Sequence, residues 1–262
     1  MKRFLFVIAC LVMSTGSIAS ADVVFDADTT NTTLSNNAIG LAGTLTGSPG
    51  DLNLQNNGSG FNITALLSTD DINTLNGATL TDLDTVTATI TVSGLSVGEL
   101  RANGIEFGLQ SAIDNPISNS QSGDLVVRAE ASNSGGDIGT FFDGGAFDDS
   151  GEGGSTNTAT ITDGFTITLD ADVDGYTFTL ESIGATSPVE ISGAFTGTQF
   201  VDIVGGGRFY YAQQQFNPAN NGVNLLGNIT QASVHVTTAV PEPSSLALLA
   251  IGAVGICVRR RR

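Results

Sequence analysis

Apolar and hydroxyl-bearing residues alternate through the middle of the chain. Thr85-Val86-Thr87-Ala88-Thr89-Ile90-Thr91-Val92 puts threonine on one side and mostly apolar residues on the other, the period of two expected of a half-buried strand. Gly164 to Leu169 and Tyr176 to Leu180 repeat the pattern, and Asp174-Gly175 between them predicts a hairpin turn. Further strands are predicted at Ile105–Leu109, Asp124–Ala129, Gln199–Val204, Arg208–Gln213 and Gln231–Thr237. The pairs Asn76-Gly77, Asn103-Gly104, Asp163-Gly164 and Asn221-Gly222 punctuate them as turns. Helical periodicity is scarce: the one weak candidate, Asn62–Asn73, is cut by Thr and Asp. Fixed-period self-similarity is not evident, which argues against propellers and solenoids. The expected fold class is all-β, a single antiparallel β-sandwich over residues 22–239.

The two ends follow different rules. Residues 1–21 have a basic start (Lys2, Arg3), an apolar run from Phe4 to Met13, and the small-x-small sequence Ala19-Ser20-Ala21. That is the design of a secretory signal peptide, with an N-terminal signal helix and cleavage leaving Asp22 first. Residues 240–262 contain Val240-Pro241-Glu242-Pro243, an apolar run from Leu246 to Val258, and Arg259, Arg260, Arg261 and Arg262. The run predicts a C-terminal hydrophobic helix somewhat short of the ~20 residues that span a bilayer, a deficit that tilt, thinning and snorkelling arginines can offset. Lys2, Arg3 and the arginine cluster would stay cytoplasmic and so direct the middle of the chain outward.

This changes the meaning of the charge. The 262-residue chain carries a formal net charge of −17. Between the ends only Arg101, Arg128 and Arg208 oppose the acids. An exported domain this acidic is excluded as a duplex nucleic-acid binder, which needs Lys and Arg against phosphate. Both cysteines, Cys10 and Cys257, lie in the end segments, so a disulfide framework is excluded too.

Pro241-Glu242-Pro243, the short apolar run and the terminal arginines together resemble the PEP-CTERM sorting signal of Gram-negative bacterial envelope proteins. The resemblance implies recognition by a membrane-embedded exosortase that removes the signal and releases or re-anchors the protein. It also implies transient inner-membrane anchoring and an association with extracellular polysaccharide. Separately, the strand rhythm from Thr81 to Gln110, through Asp124-Leu125-Val126-Val127-Arg128 and into the Thr-rich hairpin, resembles a concanavalin-like jelly roll.

Three internal features could carry chemistry. Asp170, Asp172 and Asp174, with Gly175 sixth and Glu181 twelfth, satisfy a calcium-loop spacing. An EF-hand needs flanking helices, whereas alternating strands flank this segment. Glu181 would lie about 15 Å beyond the turn at ~3.4 Å per residue. The alternatives are an acidic hairpin turn or a calcium site built on the three aspartates; calcium is the one cofactor the sequence brings up. A second acidic stretch, from Asp143 to Gly154, has no fixed ligand spacing. In Arg208-Phe209-Tyr210-Tyr211-Ala212-Gln213, the side chains of Arg208, Tyr210, Tyr211 and Gln213 offer rings, amides and a cation for a polar ligand such as a glycan, or alternatively fill the core.

Signs of catalysis are few. His235 is the single histidine and lies in a predicted strand, no Gly-x-Ser-x-Gly elbow occurs, and no cysteine lies between the end segments. The expectation is a non-enzymatic envelope or matrix protein with a structural or adhesive role. Its partners would be the secretion machinery, an exosortase, the membrane through the C-terminal helix, and extracellular polysaccharide. A calcium-assisted lectin-like module is the alternative, and a polysaccharide hydrolase the third reading.

Overall fold

A computed structural model describes residues 21–36, 43–56, 62–94, 103–111, 124–132, 139–146, 159–160, 163–183, 187–215 and 227–239. Strand pairing places them in two antiparallel sheets. The first has the order β13 (Val189–Ala194), β12 (Gly175–Ser182), β11 (Gly164–Ala171), β6 (Asp84–Ser93), β15 (Asn228–Thr238), β4 (Asp51–Asn56), β3 (Gly43–Ser48). An eighth strand, β1 (Ala21–Asp26), pairs with the C-terminal half of β15. The second sheet runs β10 (Ala159–Thr160), β9 (Gly139–Ala146), β8 (Leu125–Ser132), β7 (Asn103–Gln110), β14 (Arg208–Gln215), β5 (Asn62–Ser68), β2 (Thr32–Asn36). The expected all-β antiparallel sandwich is the fold observed. The signal helix and the C-terminal hydrophobic helix lie outside the described residues. Among the described residues no helix is long and apolar enough to cross a membrane.

The period of two explains the first sheet. In β6, Val86, Ala88, Ile90 and Val92 are buried, while Thr85 is exposed and Thr87 and Thr91 are half-buried. Register carries the split sideways: Ile90 faces Ile167 of β11, which faces Leu180 of β12, while Thr89, Thr168 and Thr179 form the matching outward row. The outward hydroxyls also bond to one another, as Thr91 and Thr166 do at 3.0 Å. Opposing same-face residues on adjacent strands are neighbours, so one alternating strand imposes its pattern on the next.

The inner faces meet through aromatic rings. Phe107 of β7 packs edge-on against Phe178 of β12 with ring centroids 6.3 Å apart, and Phe209 of β14 packs against Phe107 at 5.7 Å and Phe25 of β1 at 5.2 Å. The Phe107–Phe178 and Phe209–Phe25 contacts cross between the sheets, while Phe209–Phe107 joins neighbouring strands of one sheet, and aromatic pairs of this kind contribute beyond their area.

Two expectations are corrected. Gln199–Val204 is not a strand: Phe200–Gly205 forms a wide helical turn that buries Phe200, Ile203 and Val204. The apolar positions are spaced one, four and five along the segment, which suits a helical face rather than an alternating one. Asn62–Asn73 divides into strand β5 and a short helix α1 (Ile72–Asn76), capped by the Asp71 carboxylate on the Thr74 amide. The Gly205-Gly206-Gly207 run permits this corner to close. A Cβ on Gly205 would come 2.7 Å from the Asn73 side chain, and one on Gly207 2.6 Å from the Ile203 carbonyl oxygen.

Candidate functional site

Three places collect the residues singled out by the sequence: strand β14, the hairpin between β11 and β12, and the corner where the chain leaves the sandwich.

Strand β14 does not present Arg208, Tyr210, Tyr211 and Gln213 as one surface, which corrects the idea of a shared ligand platform. Alternation divides them, with Phe209 and Tyr211 in the inter-sheet core and Tyr210 in a separate cluster on the opposite face. Tyr210, Tyr211 and Gln213 are all buried. The Gln213 amide nitrogen donates to the Tyr211 hydroxyl at 3.2 Å. Burial pushes the Tyr211 phenol well above its ordinary value, an effect that the hydrogen bond from Gln213 partly opposes. Gln213 Oε1 has no hydrogen-bond partner among the described residues.

Tyr210 packs with Ala65, Leu67 and Ala212, and its hydroxyl donates to Glu106 Oε2 at 2.8 Å. The Arg208 guanidinium donates to the carbonyl oxygens of Ser68 and Thr69, and so fastens β14 to the end of β5. The residues are chemically varied, yet they serve packing. The sequence carried a clue: Phe209-Tyr210-Tyr211-Ala212 is a continuous apolar run, the mark of a strand covered on both faces.

The hairpin disperses its carboxylates. Asp172 closes the turn, its amide donating to the Gly175 carbonyl at 2.9 Å and its Oδ1 accepting from the amides of Asp174 (2.9 Å) and Gly175 (3.1 Å). Asp170 projects from the outward face of β11 and accepts from the Thr87 hydroxyl at 2.6 Å. Glu181 pairs opposite Thr166 on β12, far along the hairpin from the turn. Among the described residues, no three His, Cys, Asp or Glu side chains are placed to hold a metal ion. The calcium-like spacing of Asp170, Asp172 and Asp174 therefore corresponds to a hairpin turn in this fold, and an Asx turn uses the same Asp and Gly chemistry.

The third place joins the ends of the domain. Ala21 pairs with Thr237 and Asp22 with Val236, so both residues at the expected signal cleavage point lie beside the end of β15. The Ala239 amide, one residue past the strand, donates to the Leu83 carbonyl at 2.8 Å. Buried Asp84 closes the corner. Its Oδ2 accepts from the Thr81 amide (2.6 Å) and hydroxyl (2.9 Å), and its Oδ1 from the Thr238 hydroxyl (2.5 Å). The Thr81-x-x-Asp84 spacing is a local signal for such a cap, unnoticed in the strand pattern. Ala19, Val240, Pro241, Glu242, Pro243 and Arg259–Arg262 lie outside the described residues.

This architecture defines a lectin-like β-sandwich. The CBM2 module of the evolved Dit protein of Lactobacillus casei BL23 phage J-1 aligns over 86% of this chain and 100% of its own, at 13% identity and a TM-score of 0.56. Peanut lectin aligns over 86% of this chain and 99% of its own, at 10% identity and a TM-score of 0.54. Identities this low establish the fold alone, which is of the concanavalin-like jelly-roll kind. Comparison with curated protein sequences gives no significant match.

Residues 239–262 match the PEP-CTERM protein-sorting motif. The motif begins where the last strand ends, and it marks the chain as an exported, cell-envelope-directed substrate of exosortase sorting.

Proposed function

We propose that this is a non-enzymatic protein of the cell surface or extracellular matrix of a Gram-negative-type bacterium, with a structural or adhesive role. The carrying observation is that the PEP-CTERM motif follows the final strand of a lectin-like sandwich. On this reading the signal peptide starts export, the C-terminal helix anchors the chain transiently in the inner membrane, and exosortase removes the tail. The sandwich is then delivered among extracellular polysaccharide and neighbouring surface molecules. Its excess of carboxylates repels polyanions at close range and keeps the domain soluble and dispersed. Divalent cations such as calcium would relieve that repulsion and bridge it to acidic polymers.

A second reading, a calcium-assisted glycan-binding module, draws support from the sandwich type shared with peanut lectin. With Tyr210, Tyr211 and Gln213 buried, this reading needs a site elsewhere on the domain. A glycan array probed with the exported protein, with and without calcium, separates the two. Binding to a defined glycan that depends on calcium favours the lectin reading, and the absence of binding in both arms favours the structural one.

A further inference from the structure

Strand β15 stays paired to its very end. Thr237 faces Thr85 of β6 on one side and Ala21 of β1 on the other, and Thr238 faces Asp84. The Ala239 amide is bonded to Leu83. The sorting motif starts at residue 239, so the folded domain and the segment to be processed meet without a spacer. Enzymes that act on peptide chains commonly take them as extended strands whose backbone groups are free to pair. Here the backbone is held on the β6 side as far as Ala239, and on the β1 side as far as Val236 once cleavage leaves Asp22 first.

Asp84 is the fastening of this corner. The residue is 5% exposed, and its carboxylate joins the turn before β6 to the last residue of β15 through three hydrogen bonds. Hydrogen bonds to a charged acceptor are stronger than neutral ones, and a strand end opens locally at a rate set by bonds of this kind. We propose that the Asp84–Thr238 contact is a latch that holds β15 closed up to Ala239 and thereby gates exosortase access to the tail. Removal of the tail then proceeds through brief release of residues 236–239 from β6 and β1. The inference rests on the reading that exosortase removes the tail.

The test is a pulse–chase of the full chain in its native host, following loss of the tail by mass spectrometry. Thr238→Val keeps the shape of the side chain and deletes the hydroxyl that Asp84 accepts. It should speed tail loss several-fold, and hydrogen exchange on the full-length variant should show lower protection at residues 236–239. Thr230→Val removes a hydroxyl that donates to the Thr91 carbonyl near the start of the same strand, and should process at the wild-type rate. Loss of protection in Thr238→Val without faster processing overturns the latch, as does equal acceleration by Thr230→Val. A wild-type chain that keeps its tail overturns the sorting reading itself, and the latch with it.

Discussion

The two sheets use opposite solutions to burial. Across β6, β11 and β12 the eight-stranded sheet has apolar inward residues (Val, Ile, Leu, Phe and Ala) and outward rows of half-buried threonines such as Thr87, Thr168 and Thr179. Among the described residues, the buried side chains on this outer face are Thr89 of β6 and Ser233 of β15 beside it. In the seven-stranded sheet, β14 and β5 are covered on both sides. Phe209 and Tyr211 fill the inter-sheet core, while Tyr210, Ala65, Leu67 and Ala212 are equally buried on the opposite face. A strand with one wet face is written as an alternation, and a strand with two dry faces as a continuous apolar run. The difference decides which residues can meet a ligand and which can only pack.

Substitutions on the two outward faces should differ in cost accordingly. Tyr210→Ala deletes a large, fully buried side chain and strips Glu106 of the phenol that donates to it. Denaturant unfolding should show a loss of about 3–5 kcal/mol. Thr168→Ala, in the outward row of the other sheet, should cost no more than about 0.5 kcal/mol. Equal losses would mean that the two outward faces are not differently buried.

Tyr211→Phe is the next largest. It removes the hydroxyl that accepts from Gln213, at a cost of about 1 kcal/mol. The folded phenol titrates above its ordinary value of 10.0, so the folded state holds that proton more tightly than the unfolded chain. Its contribution is complete below pH 10.0 and is lost as pH rises toward the folded value. Wild type should therefore lose stability above that pH along a limb that Tyr211→Phe makes shallower. Identical alkaline limbs would contradict the burial of this group.

Thr91→Val removes the outward hydroxyl bond to Thr166 while keeping the β-branched shape, and should change stability by less than about 1 kcal/mol. The smallest effect belongs to Asp28, which accepts from the Thr30 hydroxyl and from the amides of Thr30 and Asn31. These bonds hold its carboxyl below its ordinary 3.8. The stabilisation is present above that pH and lost as pH falls through the folded value, so Asp28→Asn should slightly flatten the acid limb of stability.

Much of the sandwich was legible because its strands obey simple periods. The β6, β11 and β12 segments were visible from alternation alone, and Asp174-Gly175 marked their hairpin. The strands between Ala21 and Asn56 were not visible, because Thr32–Asn36 and Gly43–Ser48 contain few apolar residues and owe their strand form to pairing with β5 and β4. Gln199–Val204 misled because Phe200-Val201 and Ile203-Val204 read as a short apolar strand, whereas the buried Phe200, Ile203 and Val204 follow a helical spacing. The aromatic strand misled differently: Tyr and Gln can bind or pack, and residue type alone does not separate these roles. The sorting motif at residues 239–262 was legible, since its proline pair, apolar run and arginines are chemical signals that need no tertiary partner.

On the proposed reading, a secreted sandwich is delivered by a sorting tail that is then removed. Intact-mass measurement of the protein recovered from its native host tests this most directly. The account predicts a mature chain that begins at Asp22, retains β15, and lacks Arg259 to Arg262. A mature chain that still carries those four arginines would contradict it.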